Sequence, residues 1–131
     1  MSLEIPKNFP LGELISQELT QICIGLGEVS LNFYTPSSIL GRWEPGACIT
    51  IESGFELSQK GESICVGVPD NIGEFAGGLT SLLGQTILSV ERLPKRELSL
   101  IFSNNLRLRL TVNPLGFESY HLSINGYVID V

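Results

Sequence analysis

The feature that most constrains this chain is the alternation of apolar and polar side chains in short runs between residues 82 and 131. In the clearest run, residues 106–112, Leu and Val positions alternate with Arg and Thr positions. Alternation with a period of two residues is typical of a β-strand with one face in a core. Similar runs occupy residues 86–91, 97–103 and 119–124, and residues 127–131 can form a closing strand. This half is predicted to be a series of antiparallel strands, with Tyr120 and the 106–112 apolar face buried.

Turn signals separate these runs. Pro94 removes a backbone donor between the first two runs, which favours a turn there. Asn104-Asn105 suits a tight hairpin because Asn tolerates a positive φ angle, and Asn125-Gly126 is a similar signal before the last strand. The turns therefore predict hairpins between consecutive strands.

A looser copy of the same pattern occupies the first half of the chain. Four segments match in order: residues 17–22 with 85–90, 28–33 with 97–102, 49–51 with 110–112, and 54–56 with 116–118. Partners are 68, 69, 61 and 62 residues apart, and the drop indicates one insertion in the first half. Self-similarity of this kind is the signature of repeated structural units. We predict two pseudo-repeats, residues 15–66 and 83–131, joined along a pseudo-two-fold seam.

The insertion runs from Tyr34 to Gly46, where the second half has only its short Asn turn. A loop of this length without regular structure is uncommon unless it has a function. It carries the single tryptophan, Trp43, beside Arg42, and these two residue types are enriched at binding hot spots. Two interpretations stay open: the loop binds a partner, or Trp43 folds back onto the sheet as large aromatic side chains commonly do.

Apolar residues between positions 72 and 83 follow helical spacing instead of alternation: Ile72, Phe75, Ala76, Leu79, Leu82 and Leu83. Three glycines in this stretch lower the stability of a helix by up to about 1 kcal/mol each relative to Ala. Tertiary packing must therefore hold the helix in place. A second short helix, or the lead-in to a strand, is predicted around residues 11–19.

Composition limits the possible functions. A chain of 131 residues is within the range of one domain. It has eight Lys and Arg residues and a net charge of -6, so nucleic acid is not an expected partner. No run of 18 apolar residues occurs, and the first residues lack the features of a secretion signal. We expect a cytoplasmic protein with no membrane partner.

The cysteines and the histidine do not form a metal-binding pattern. Cys23, Cys48 and Cys65 have no CxxC spacing and occur in apolar, strand-like contexts, which predicts burial in a core as small hydrophobic residues. A zinc site needs four nitrogen or sulfur ligands, and the chain has three Cys and one His. No metal or other cofactor is expected.

No motif for catalysis is present, since the chain has no nucleophile elbow, phosphate-binding loop or dinucleotide fingerprint. His121 lies on the polar side of its predicted strand with Ser119 and Ser123. Residues two apart on one strand point the same way and do not make the aligned hydrogen bond that a nucleophile needs. A structural, hydrogen-bonded His121 is favoured over acid–base catalysis, and the protein is not expected to be an enzyme.

Arg107 and Arg109 project from one face of their predicted strand, and Glu97 can lie opposite them in the hairpin. A surface ladder of ion pairs is the simpler interpretation, in which each cross-strand pair contributes only about 0.2–1 kcal/mol. The alternative is a patch for an anion or an acidic partner, shared with His121 in a pocket between the two halves.

The second half resembles a family of small uncharacterised bacterial proteins, the DUF6188-like group. The resemblance rests on residues 83–87 (Leu-Gly-Gln-Thr-Ile), 98–103 (Leu-Ser-Leu-Ile-Phe-Ser), 106–108 (Leu-Arg-Leu) and 118–122 (Glu-Ser-Tyr-His-Leu). Where that group often has Asp-Gly at the hairpin, this chain has Asn104-Asn105. The resemblance implies a small cytosolic α+β protein, and it supplies no activity or catalytic residue.

These observations predict an α+β fold: two similar antiparallel β units in tandem, with one or two short helices, in a single compact domain. The favoured function is a non-enzymatic protein-interaction module of the adaptor or immunity type, with an unknown protein partner. The candidate interaction residues are Arg42, Trp43, Arg107, Arg109 and His121. A small anionic-ligand or enzymatic domain with a pocket between the halves is the alternative, and a homodimer joined by edge strands is a third hypothesis.

Overall fold

The structure is a computed structural model that describes residues 5–36, 43–68, 72–115 and 119–131. The described residues form ten strands: β1 (Glu18–Ile24), β2 (Val29–Pro36), β3 (Trp43–Ile51), β4 (Phe55–Gln59), β5 (Glu62–Gly67), β6 (Ile87–Arg92), β7 (Leu98–Phe102), β8 (Arg107–Leu110), β9 (Tyr120–Ile124) and β10 (Tyr127–Asp130). They build two antiparallel sheets of five strands each, with the orders β1-β2-β3-β9-β10 and β5-β4-β8-β7-β6. The predicted strands of the second half are confirmed in place and direction.

The two sheets bury their apolar faces in one common core. Leu108 and Leu110 in β8 and Tyr120 and Leu122 in β9 are fully buried, while the residues between them are half-buried and face outward. The predicted burial of Tyr120 and of the leucine face of residues 106–110 is therefore confirmed. Each fully buried Leu or Ile contributes about 1.5–3 kcal/mol to stability relative to its exposed form, before the entropy of ordering is counted.

Each half of the chain contributes three strands to one sheet and a hairpin to the other. The first half places β1, β2 and β3 in the first sheet and the β4–β5 hairpin in the second. The second half places β6, β7 and β8 in the second sheet and the β9–β10 hairpin in the first. Exchanging β1–β5 with β6–β10 converts one strand order into the other, so the crossed hairpins tie the sheets together.

The local irregularities of the two halves match as well. A register shift lies between Leu19 and Gln21 where β1 pairs with β2, and another lies between Ile87 and Ser89 where β6 pairs with β7. These positions are 68 residues apart in both cases. A 3-10 helix precedes each set of strands, at Leu11–Leu14 and at Ala76–Leu82. Each of these helices leads into a residue with positive φ, Ser16 at 75° and Gly84 at 82°.

Backbone hydrogen bonds join the halves where β1 and β6 begin. The Ser16 amide donates to the Ile87 carbonyl and the Gly84 amide donates to the Leu19 carbonyl, both at 2.8 Å. The Leu19 amide donates to the Gln85 carbonyl and the Ile87 amide donates to the Gln17 carbonyl, both at 3.0 Å. Adding 68 to one residue of each bond gives the matching residue of its counterpart. These are features that a duplicated chain would share, and the duplication itself stays a prediction.

The alignment of the halves needs a correction of two residues in β3 and β8. Val29 pairs with Ile51 and Leu98 pairs with Leu110, so Ile51 corresponds to Leu110 and not to Val112. A slip of two residues leaves every side chain on the same face, and an alternating pattern therefore does not reveal it. Phe55 pairs with Leu110 as Tyr120 pairs with Ile51, which makes Tyr120 the counterpart of Phe55. The sequence partner of Phe55, in residues 116–118, lies outside the described residues.

The fold is mostly β, and α+β describes it only coarsely. The predicted helix over residues 72–83 is present as a four-residue α-helix, α1 (Ile72–Phe75), that continues as the 3-10 helix Ala76–Leu82. Ile72, Ala76, Leu79 and Leu82 are fully buried, whereas Phe75 and Leu83 are exposed. Gly73 and Gly78 leave room for close packing, because a Cβ atom would lie 2.6 Å from the Gly25 carbonyl and from the Cys65 sulfur, respectively.

The predicted long loop from Tyr34 to Gly46 is wrong at both of its ends. Strands β2 and β3 continue past the edge of their neighbours, and Tyr34 pairs with Pro45, Thr35 with Glu44 and Pro36 with Trp43. The cause is a register shift between Asn32 and Tyr34, which lets the ladder resume beyond the bulge. Residues 37–42 lie outside the described residues.

The prediction that the cysteines pack in the core is also wrong. All three are free, Cys23 is exposed, and Cys48 and Cys65 are half-buried. Cys23 pairs with Ser30 and Cys48 pairs with Ser123 across the outward-facing rows of the first sheet. Their apolar neighbours Leu31 and Ile49 take the inward positions. No helix among the described residues is long and apolar enough to cross a membrane.

Candidate functional site

An open cleft of about 460 Å³ lies on the outer face of the second sheet, beside the turn that joins β6 to β7. Leu93 and Pro94 of the turn form its apolar part. Five charged residues complete the lining: Glu56, Lys95, Glu97, Arg107 and Arg109. Three strands supply these side chains or end beside them, and their backbones are fixed by the sheet ladder.

The β6–β7 turn holds a strained backbone in a fixed position. Its ends are joined by a hydrogen bond of 2.9 Å from the Leu93 amide to the Glu97 carbonyl. Lys95 and Arg96 have φ angles of 62° and 64°, in the left-handed region that costs energy for residues with a Cβ atom. The buried Tyr120 hydroxyl donates to the Arg96 carbonyl at 2.6 Å. Strained residues that the surroundings hold in place are a common feature of binding sites.

Burial of the Tyr120 ring raises the pKa of its hydroxyl well above the ordinary value. The hydroxyl therefore stays protonated and remains a donor to the turn at any physiological pH. Arg92 holds the other side of the turn, because its guanidinium donates to the Ile5 and Pro6 carbonyls, both at 2.8 Å. The turn is thus anchored by a core residue and by the first described residues.

Arg109 is held between two carboxylates. Its terminal nitrogens lie 3.4 Å from Glu56 Oε1 and 3.4 Å from Glu97 Oε1. The predicted approach of Glu97 to Arg109 is confirmed, and Glu56 is an additional partner that sequence analysis did not identify. Both distances exceed the 2.7–2.9 Å typical of a strong charge-assisted hydrogen bond. The Arg109 Nε is buried and has no hydrogen-bond partner among the described residues. Arg109 therefore has unused capacity to donate hydrogen bonds.

Arg107 has a different arrangement. Its Nε donates to the hydroxyl of Ser99 at 2.6 Å, and Ser99 is buried. Ser99 lies on the neighbouring strand, one diagonal position from Arg107. Within the described residues, Arg107 forms no ion pair, unlike Arg109. The sheet thus presents one arginine with compensated charge and one with uncompensated charge, side by side.

Basic residues gather at this end of an otherwise acidic molecule. A second cavity of about 260 Å³ lies beside the first, and Arg92, Lys95 and Arg96 are among its lining residues. Together the two cavities include five of the eight Lys and Arg residues of the chain, against two of its fourteen acidic residues. The local potential is therefore opposite in sign to the net charge of -6.

His121 does not belong to this site. It lies in β9 on the outer face of the first sheet, while Arg107 and Arg109 lie on the outer face of the second. The two outer faces are on opposite sides of the shared core, so the expected common pocket of these three residues between the halves does not form. The cleft that contains the arginines does not include His121.

His121 is held between carboxylates of two other segments. Its Nδ1 lies 2.5 Å from Asp130 Oδ1 in β10, and its Nε2 lies 3.1 Å from Glu52 Oε1, just after β3. Burial alone would lower the pKa of His121, but the hydrogen bonds to Asp130 and Glu52 outweigh it and raise that pKa. Because a carboxylate lies at each ring nitrogen, neither is placed to take a proton from a nucleophile. A structural, hydrogen-bonded role is therefore favoured.

Neighbouring serines do not convert His121 into a catalytic group. Ser119 is fully buried, and its hydroxyl accepts a hydrogen bond of 2.8 Å from the Asn113 amide. Ser123 pairs with Cys48 and Val128 on the outer face of the first sheet. Among the described residues, no group of three or more His, Cys, Asp or Glu side chains is arranged to hold a metal ion.

The other two candidate residues lie at the end of the β2–β3 hairpin. Arg42 lies outside the described residues, so its predicted role in binding stays a prediction. The backbone of Trp43 begins β3 and pairs with Pro36. Trp43 is therefore part of a projecting hairpin and not of an irregular loop, and the question of what its side chain contacts stays open.

Sequence analysis missed Lys95, Glu56 and Ser99. Lys95 lies in residues 92–96, where three of five residues are basic, and this cluster was interpreted only as a turn. Glu56 reaches Arg109 because the β4–β5 hairpin crosses into the other sheet, which alternation does not predict. Ser99 is an outward-facing residue that is buried by its arginine neighbour, and only the register of β7 and β8 places it there.

No family model, curated protein or solved structure matches the chain. The resemblance to the DUF6188-like group therefore stays a prediction, and the residues of the cleft provide the basis for a function.

Proposed function

We propose that the protein is a non-enzymatic interaction module that binds an acidic segment of a protein partner in the cleft of Arg107 and Arg109. The observation that carries this proposal is the concentration of five basic residues at one end of a chain with a net charge of -6. An acidic partner is repelled by most of this molecule and attracted to one place on it. Complementary potentials of this kind guide encounter and fix the orientation of a complex.

The shape of the cleft favours a macromolecular partner. Small-molecule sites are concave and enclose most of the surface of their ligand. This cleft lies open along the face of a sheet, with Leu93 and Pro94 on one side and charged side chains on the other. An extended peptide can lay an apolar residue on the proline and place carboxylates over the arginines.

The cytoplasm is the location that agrees with this proposal. The three cysteines are free, and Cys23 is exposed to solvent. Free, accessible thiols persist in a reducing compartment and are prone to oxidation outside it.

Amide chemical shifts test the proposal directly, with hexaglutamate as the acidic probe and hexaglutamine as the neutral control. Hexaglutamate is expected to shift amide resonances of residues 93–97 and of β7 and β8, with an affinity that falls as salt rises. Hexaglutamine is expected to shift none of them. Absence of binding, or shifts confined to other parts of the sheets, would contradict the proposal.

A small anionic ligand is the second candidate, and one observation favours it. The buried Arg109 Nε lacks a partner, and a compact anion can supply one. A thermal-shift experiment with a panel of anionic metabolites separates the two possibilities. A ligand that raises the melting temperature of the protein, with the gain abolished in Arg109→Ala, would favour this candidate.

The Arg42-Trp43 segment has its own test. If the tip of the β2–β3 hairpin contributes to the interface, Trp43→Ala weakens binding of a true partner without changing hexaglutamate binding at the cleft. Equal partner affinity for Trp43→Ala and the unmodified protein would show that this hairpin has no part in binding.

A further inference from the structure

We infer that Arg107 is the residue that recognises the acidic partner, and that it binds one carboxylate end-on through its two terminal nitrogens. This inference rests on the function proposed above and assigns the recognition to a single side chain. Its basis is the different treatment of two neighbouring arginines by the residues around them.

Arg109 is already compensated. Glu56 and Glu97 lie 3.4 Å from its two terminal nitrogens, so a third carboxylate approaching Arg109 meets two negative charges at close range. Repulsion between like charges at such distances opposes binding there. Arg109 therefore holds the two glutamates in place and does not act as the main receptor.

Arg107 is oriented but not compensated. The bond of 2.6 Å from its Nε to the buried Ser99 hydroxyl fixes the plane of the guanidinium on the sheet. Side chains fixed before binding lose less entropy when the ligand arrives. Because Ser99 occupies Nε, the side-on approach through Nε and one terminal nitrogen is blocked. The end-on approach through the two terminal nitrogens stays open, and it matches the two oxygens of a carboxylate.

The charge of the cleft selects a carboxylate over a phosphate. Its lining contains three basic residues, Lys95, Arg107 and Arg109, and two acidic residues, Glu56 and Glu97. The excess is a single positive charge, which one carboxylate neutralises. A phosphate group carries about -1.5 to -2 charges at neutral pH and would leave the cleft with a negative excess beside two glutamates.

Hexaglutamate titrations of four proteins test this inference, with binding followed by amide chemical shifts. Arg107→Lys keeps the positive charge and removes the planar fork, and it is expected to weaken binding about tenfold. Ser99→Ala keeps the arginine and releases its Nε, and it is expected to weaken binding by a smaller factor of about three. Lys60→Gln is the matched control, since it removes one positive charge from the β4–β5 turn, outside the cleft. It is expected to change the affinity by about twofold or less.

A second arm identifies the anion. A peptide in which phosphoserine replaces one glutamate is expected to bind no more tightly than hexaglutamate. Tighter binding of the phosphopeptide, or an affinity of Arg107→Lys equal to that of the unmodified protein, would overturn the inference. If those results come with hexaglutamate shifts still centred on the cleft, only the assignment to Arg107 fails. If hexaglutamate does not bind the unmodified protein, the proposed function fails with it.

Discussion

Phe33 and Phe102 stack across the core, with ring centroids 6.5 Å apart and ring planes inclined by 21°. Phe33 belongs to β2 of the first sheet and Phe102 to β7 of the second, and they are 69 residues apart, the same spacing as Val29 and Leu98. The contact therefore joins two corresponding positions, one from each half of the chain. Both rings are almost completely buried.

Removing either ring is expected to have the same large effect, because the two positions are equivalent. Phe33→Ala and Phe102→Ala should each lower the free energy of unfolding by about 3–5 kcal/mol, through lost burial and the cavity left behind. In the double variant, the loss should fall short of the sum by about 0.5–1.5 kcal/mol, the coupling typical of an aromatic pair. Urea denaturation of the four proteins measures this, and strict additivity would show that the stacking contributes nothing beyond burial.

Gln17 and Gln85 occupy corresponding positions 68 residues apart, but only Gln17 is buried. Its Oε1 accepts a hydrogen bond of 2.8 Å from the Ala47 amide, and its Nε2 donates to the Glu13 carbonyl at 2.7 Å. Gly46 is required beside it, since a Cβ atom there would lie 2.3 Å from Gln17 Oε1. The side chain thus links the first 3-10 helix to the β2–β3 hairpin.

Gln17→Ala is expected to lower the free energy of unfolding by about 1–3 kcal/mol, because the buried Ala47 amide loses its acceptor. Gln85→Ala is the matched control. Gln85 accepts a bond of 2.8 Å from the Ser103 hydroxyl at a partly exposed site, where water can replace it. The control should cost less than about 1 kcal/mol. Equal losses in chemical denaturation would contradict the assigned role of Gln17.

Alternation in the sequence predicts which residues face the core, and it predicts little about the outer faces. One outward row crosses the first sheet through Cys23, Ser30, Thr50, His121 and Asp130. The corresponding row of the second sheet is Glu91, Ser99, Arg109, Glu56 and Val66. The inner faces share Leu, Ile, Val and aromatic residues, whereas these outer rows share only a serine. Repeat similarity therefore located the fold, and divergence between the rows located the candidate site.

Three features escaped sequence analysis for physical reasons. The exchange of hairpins between sheets depends on which strand edges are free, and local pattern does not encode that. The bulge after Asn32 lets β2 and β3 continue into a region whose prolines suggested a loop. Cysteine was assigned to the core by its general preference, yet register placed Cys23 and Cys48 on the outer face. In each case a long-range constraint overrode a local preference.

The His121 triad predicts a pH dependence of stability. The hydrogen bonds to Asp130 and Glu52 raise the pKa of His121 above its ordinary value of 6.5, so the folded state binds the proton more tightly than the unfolded chain. The resulting stabilisation is fully present below about pH 6.5 and is lost as the pH rises through the folded-state pKa. His121→Gln lacks this contribution.

Urea midpoints of the unmodified protein and of His121→Gln should therefore differ more at about pH 6 than at about pH 9. Glu52→Gln should reduce the pKa of His121, because it removes one acceptor and one negative charge. The imidazole resonances report that pKa directly. A difference in stability between the two proteins that grows with pH would contradict the assigned geometry.

Lys95 predicts a conflict between stability and binding. Its φ angle of 62° lies in the left-handed region, which glycine adopts without steric cost. Lys95→Gly should raise the free energy of unfolding by up to about 1 kcal/mol, since the relief of strain exceeds the added flexibility of the unfolded chain. The same change removes a positive charge from the cleft, and hexaglutamate affinity should fall.

Lys60 provides a closely matched control in the β4–β5 turn, with a φ angle of 51° and the same charge. Lys60→Gly should give a similar gain in stability while leaving hexaglutamate binding within about twofold of the unmodified protein. Thermal unfolding and amide shift titrations of both variants measure the two quantities independently. If both substitutions weaken binding equally, only the net charge of the molecule matters and the cleft has no special role. If Lys95→Gly alone weakens binding while both variants gain stability, the β6–β7 turn keeps a strained lysine because the cleft needs its charge there.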